Sequence, residues 1–499
     1  MLKIQEKLTN SFYAMLSMPA TAMGFALSIQ ISALSWILST KYHMEIDQIG
    51  IVWAAGPLAG IIAQPIVGAI SDKVWFWGGR RRPFILIGGV LAALMLLSLP
   101  NIDIIGHFLG ESGAMLGIAV IVALTLDLSI NVSFNPTRSI IADVTPEGDD
   151  RTKGYTWMQT VSGSFGVLAY AIGASLGNYF LIYFGVILVL GFTLIPPFFI
   201  DEPVILEQEE EKSTFNESNS IKKPSFSFED IYMGLLPLVG FLLYGVYVIV
   251  ARLSGLDAEN EIIEYLCLAL VVILGGFVLI RSIKKEIDDY EFQKVLLAHA
   301  FTWLGIQTMF IYMFAYAKSN VLGFDPKAHL TALQNDDIGR IIAISFLILN
   351  LVGALFPTLV LEPVAKRIGR VRTHVLSIAS MAISYLAILL FAHNRIILYL
   401  LMAFAGIGWA STISLPFAIM SERVKQSKMG LYMGIFNLSI VLPQLVASFK
   451  MGEIINRAPD KSIIFIICTI TLSISAILWL FIREKHKKEA LLPNLIMGE

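Results

Sequence analysis

The amino-acid sequence predicts an all-α integral membrane protein. Three observations carry that class: more apolar content than a soluble core can use, apolar stretches of spanning length along the whole chain, and basic residues gathered on one side of them. Of 499 residues, 56% are hydrophobic and 15% charged, with a mean hydropathy of +0.73. That much apolar surface needs lipid as its solvent. The net charge of -2 excludes a nucleic-acid binder, which needs a concentrated basic face. Cys267 and Cys468 lie in apolar runs without metal-ligand or redox spacing. They are read as small core residues, and neither a metal nor a cofactor is expected.

Crossing a bilayer takes about 20 helical residues. Stretches near or above that length occur at 12–40, 47–70, 83–100, 114–142, 154–177, 179–200, 231–252, 262–281, 292–318, 338–362, 372–392, 396–420, 429–450 and 462–483, which makes fourteen predicted spans. Residues 1–10 are polar and the apolar stretch behind them is too long for a signal-peptide core, so the first span is expected to stay as an anchor. After span 2 come Lys73, Arg80, Arg81 and Arg82; after span 10 come Lys366, Arg367, Arg370 and Arg372; a further basic run fills 483–488. Lys and Arg near helix ends stay in the cytoplasm, so both termini are expected inside, in a cytoplasmic (inner) membrane.

The long polar segment 201–230 carries an acidic run at 207–212 and a Ser/Asn-rich stretch, the composition of a flexible linker. Each side of it has a basic turn after an early helix, GAISDKVWFWGGRRRP in the first half and EPVAKRIGRVRTH in the second. Repetition at matching places is what duplicated transporter halves produce. The expected organisation is a six-helix bundle at 1–200, a cytoplasmic linker at 201–230, two inserted helices at 231–290, a second six-helix bundle at 291–488 and a tail at 489–499. The inserted pair is even in number and preserves the topology.

Four ordered segments resemble one family. AGPLAGIIAQPIVGAISD (55–72) followed by GRRRPFI (79–85) resembles the second helix and following loop of sucrose transporters and their animal and bacterial relatives. LDLSINVSFNPTRSIIAD (126–143) resembles their fourth helix, SLPFAIMS (414–421) their tenth and GLYMGIFNLSIVLPQLVAS (430–448) their eleventh. These proteins form the glycoside-pentoside-hexuronide:cation symporter branch of the major facilitator superfamily. The resemblance implies the major facilitator fold, alternating access and a sugar substrate. Where the plant members carry an acidic and arginine cluster, at the outer end of span 9, this chain reads MFAYAKSNVLG (313–323). Maltose and other α-glucosides therefore stand beside sucrose as expected substrates.

Asp127 lies midway along span 4 among Ala123, Leu124, Leu126 and Leu128. An ionised carboxylate there costs several kcal/mol unless hydrated or paired. A carboxyl held away from water favours its protonated form and can load and release a proton near neutral pH. The resemblance points to the same position, so Asp127 is expected to couple proton and sugar. Asn131, at i+4, and Arg138, at i+11, share its face. Arg138 is roughly 16 Å further along the helix, a place suited to a gate, and the family match at PTR (136–138) agrees.

The other expected gating groups are Asp72, Arg80 and Arg81 in the first basic turn, Asp143 at the end of span 4, and Glu362, Arg367 and Arg370 in the second. Sugars bind between aromatic faces and amide or carboxylate rims. The intramembrane candidates for that work are Gln30, Gln64, Asp127, Asn131, Trp157, Gln159, Trp303, Gln307, Asn350, Trp409, Asn437 and Gln444; Trp303 and Gln307 are one helical turn apart. Asn and Gln also join helices, and Trp also marks the membrane interface.

Sodium coupling calls for several hard oxygen ligands in one bundle, whereas only Asp127 is central, so a proton is the expected ion. A monomeric proton-coupled disaccharide importer, with the bilayer and the sugar as its partners, is the reading. Two alternatives compete with it. A peptide carrier would carry a Glu-rich, Arg-containing first helix, which 12–40 lacks, and a polytopic membrane enzyme would carry acids on a sizeable outer loop, where 101–113 offers only Asp103 and Glu111.

Overall fold

The computed structural model describes residues 7–60, 70, 74–108, 115–146, 149–202, 235–254, 256, 260–284, 288–326, 328–392, 394–421, 423 and 429–484. The principal helices are α1 (Asn10–Thr40), α2 (Ile46–Trp53), α3 (Arg82–Ser98), α4 (Met115–Val144), α5 (Asp149–Leu176), α6 (Asn178–Leu194), α7 (Val239–Leu253), α8 (Glu261–Lys284), α9 (Asp288–Tyr316), α10 (Ala332–Phe356), α11 (Arg370–Phe391), α12 (Arg395–Thr412), α13 (Met429–Val446) and α14 (Ile463–Leu480). Among the described residues, eleven helices are long and apolar enough to cross a membrane. The expected count of fourteen is not reached by that measure. α2 is described only in part, α5 carries too many polar residues, and the apolar helix at 236–252 is short.

Local sequence explains where the helices begin. Thr9 caps α1 by accepting the Phe12 N–H, and Thr331 and Gln334 form a reciprocal capping box on α10. Two other starts are capped from a distance. Glu202, just past α6, accepts the backbone N–H groups of Arg80, Arg81 and Arg82 at 2.7, 2.7 and 2.8 Å. Glu484, just past α14, accepts those of Arg370 and Val371 at 2.7 and 2.9 Å. An anion at a helix N-terminus satisfies orphan donors and meets the positive end of the helix dipole. The two carboxylates thus tie the last helix of each bundle to its third.

In the first bundle α1 packs on α5 and α6, and α3 on α4 and α6; in the second α9 packs on α13 and α14, and α11 on α12 and α14. α7 and α8 form a hairpin whose close approach needs Gly240, since a Cβ there would press on Cys267 and Val271. α7 lies on α13, and α8 on α9. Ile262, Tyr265, Leu266, Val272, Ile273 and Ile280 leave the far face of α8 exposed, as a lipid-facing helix requires.

The bundles meet at the end away from the basic turns. The Trp36 indole N–H donates to the Asn335 carbonyl at 2.6 Å, and the Asn456 amide to Asp47 at 3.1 Å. Gly50 permits the closest approach, because any Cβ would collide with the Ser448 carbonyl and the Tyr312 hydroxyl. At the basic end the ion pairs Arg81–Asp143, Lys294–Glu291, Arg423–Glu291 and Lys366–Glu362 each join residues of a single bundle.

Candidate functional site

The middle of the bundle gathers polar groups from both halves. Asp127 in α4 is 7% exposed, and its Oδ2 accepts the Gln30 amide N–H at 2.9 Å. On its other side the backbone closes in, since a Cβ on Gly56 would lie 3.2 Å from the same oxygen. Among the described residues no Lys, Arg or His pairs with this carboxyl; Gln30 is the side chain that bonds it. Gln30 Oε1 is itself buried without a partner. Rotating the amide would turn that oxygen toward a protonated Asp127, so Gln30 can serve either charge state. Asn131 donates to the Asp127 carbonyl at 2.8 Å, which ties its amide to its own helix.

The second bundle supplies three linked pairs. The Trp409 indole donates to Asn350 Oδ1 at 3.1 Å, the Gln444 amide donates to Gln307 at 3.1 Å, and the rings of Trp303 and Trp409 meet edge to face at 6.1 Å. Phe310 stands edge-on to Trp409 at 5.3 Å and to Phe346 at 5.2 Å. Seven of the expected binding residues therefore fall into these two groups, Gln30 with Asp127 in the first bundle and Trp303, Gln307, Asn350, Trp409 and Gln444 in the second. Trp157 is half-buried and Gln159 exposed on α5, and Asn437 is half-buried on α13 two turns from Gln444. Gln64 lies outside the described residues.

Tyr170 was not singled out from the sequence. Its ring stands edge-on to Phe346 of α10 at 6.2 Å. It joins the two bundles at mid-membrane. A Tyr within α5 gives no sequence signal of that role, because its partner Phe346 is 176 positions away (346 − 170).

Of the expected gating residues, Arg81 and Asp143 form an ion pair at 2.9 Å with little exposure on either side chain. Arg80 is buried beside it. Arg138 is exposed at the basic end of α4, its guanidinium over the Phe134 ring, while its carbonyl accepts the Tyr155 hydroxyl at 3.2 Å. Glu362 pairs with Lys366 of its own short helix at 2.7 Å, and that hydrogen bond holds its carboxyl below the ordinary value. Arg367 is exposed, and Arg370 offers its backbone N–H to Glu484. Asp72 lies outside the described residues. Glu202 and Glu484 were missed, although the signal was present: each half ends in Phe-Ile-x-Glu, at 199–202 and 481–484.

Two helical bundles that close against each other at one end, with an uncompensated carboxyl buried mid-helix in the first, define a membrane transporter of the secondary type. The chain belongs to the Major Facilitator Superfamily, whose family model matches residues 17–448 and 336–494. It is similar to the sucrose transport protein SUC4 of Arabidopsis thaliana, 23% identical over 87% of this chain and 82% of that protein. It is also similar to the general alpha-glucoside permease of Schizosaccharomyces pombe, 29% identical over 32% of this chain and 31% of that protein. The fold matches the inward-open xylose transporter XylE from E. coli with a TM-score of 0.61 at 13% identity, covering 96% of this chain and 97% of that one.

Proposed function

We propose that this protein imports a disaccharide, namely sucrose, maltose or a related α-glucoside, together with a proton by alternating access across a cytoplasmic membrane. The observation that carries the proton is Asp127, a buried mid-helix carboxyl whose side-chain partner is a neutral amide. Without a countercharge the ionised form is costly at that depth, and protonation is the route by which the site can close. With the cavity open outside, Asp127 takes a proton and sugar hydroxyls bond the surrounding amides. With the cavity open inside, water reaches the carboxyl and the proton leaves. The sugar rests on the similarity to sucrose and alpha-glucoside carriers and on the central aromatic and amide groups.

Radiolabelled-sugar uptake in proteoliposomes under an imposed pH gradient tests both parts. A panel of sucrose, maltose and longer α-glucosides is expected to show uphill uptake of at least one, abolished by a protonophore. Uptake that ignores the pH gradient but follows a sodium gradient would overturn proton coupling. A panel in which no disaccharide moves would overturn the sugar.

A further inference from the structure

Building on the sugar reading, we infer that His299 is a positioning residue: it pins the Trp303 indole so that Trp303 and Trp409 form the platform on which a pyranose ring stacks. His299 is fully buried in α9, and its Nε2 accepts the Trp303 indole N–H at 2.9 Å. An acceptor at Nε2 places the imidazole proton on Nδ1, an atom that is buried without a partner. The imidazole is held flat against Phe436 at 4.8 Å and 15°, and Phe436 is braced edge-on by Phe417 at 5.0 Å. The acceptor is therefore fixed in place by α13.

A buried indole N–H needs an acceptor. Here both central indoles have one inside the protein, Trp303 in His299 and Trp409 in Asn350. Their polar edges are taken up, and beyond the edge contacts of Trp303 with Trp409 and of Trp409 with Phe310 part of their carbon surface is left exposed. Trp303 and Trp409 are both half-buried. Apolar ring faces at right angles, with the amides of Gln307, Gln444 and Asn350 nearby, suit the C–H face and the hydroxyl rim of a pyranoside.

Two substitutions separate this role from plain core packing. His299→Phe keeps a ring on Phe436 and removes the acceptor, whereas His299→Gln keeps an acceptor and removes the ring. In sugar counterflow His299→Phe is expected to raise the half-saturation concentration roughly three- to tenfold, the worth of one buried hydrogen bond. Its maximal rate and pH profile are expected to match wild type, and His299→Gln is expected to bind near normally. In a Trp303→Phe background, which has no indole N–H, His299→Phe is expected to add no further loss. The reverse order of the two variants, equal affinity in both, or full additivity with Trp303→Phe would overturn the inference. A wild type that exchanges no sugar would sink the functional reading and this inference with it; a wild type that exchanges sugar beside an unchanged His299→Phe sinks this inference alone.

Discussion

The proposed chemistry rests, at the residue scale, on a single carboxyl. Asp127→Asn retains the size of the side chain and its bond to Gln30 but cannot release a proton. The variant is expected to keep sugar counterflow while losing uphill uptake driven by a pH gradient, by at least tenfold; uphill uptake at the wild-type level would remove Asp127 from the mechanism. The sequence made this residue conspicuous, because an isolated acid among leucines has few explanations in lipid. Gln30 was also visible as a polar residue in an apolar run. Its pairing with Asp127 across 97 positions was not, since no local pattern encodes which helix faces which.

Among the elements, the α7–α8 hairpin and the distant caps invite direct tests. Glu264 of α8 pairs with Lys450 at 2.6 Å, and Lys450 also pairs with Glu453 at 2.9 Å. Arg252 of α7 lies over the Phe449 ring at 5.2 Å. The segment 447–457 is also the one that meets α2 at Gly50 and Asp47. The hairpin therefore braces the part of the second bundle that closes the end away from the basic turns. Glu264→Gln is expected to weaken that closure and to increase labelling of a cysteine placed at Asn335 by a membrane-impermeant reagent, two- to fivefold if the ion pair is worth about 0.5–1 kcal/mol. Labelling at the wild-type rate would leave the hairpin with no part in closure.

The caps act on stability. Glu202→Ala strips three backbone donors at the start of α3 of a charged acceptor, a loss of about 2 kcal/mol. Glu484→Ala does the same for two donors on α11. Both are expected to lower the melting temperature of the detergent-solubilised protein by several degrees, and an unchanged melting temperature would show that water replaces the caps without loss.

For the whole molecule, the arrangement of interbundle contacts specifies which side is closed. Trp36–Asn335 and Asp47–Asn456 seal the end opposite the basic turns; on the proposed topology, which puts basic residues in the cytoplasm, that end is the outer one. A disulfide between Asp47→Cys and Asn456→Cys is expected to trap that state and stop uptake, with recovery on reduction. Uptake that persists in the cross-linked protein would mean that these ends do not part during transport.

The sequence by itself determined the solvent, the helical class and the family resemblance, and it singled out Asp127 as the candidate proton carrier. Apolar length, charge placement and a lone buried acid are local properties that any fold must respect. Span 5 shows the limit of that reasoning, for α5 is helical and central yet too polar to qualify by apolarity. The tertiary structure alone decided that Arg81 meets Asp143, that Tyr170 packs on Phe346, that Glu202 and Glu484 cap helices more than 100 positions away, and that His299 holds Trp303 in place against α13. Such pairings depend on how helices rotate and lean against one another in lipid, where close packing and a few interhelical hydrogen bonds choose the partners.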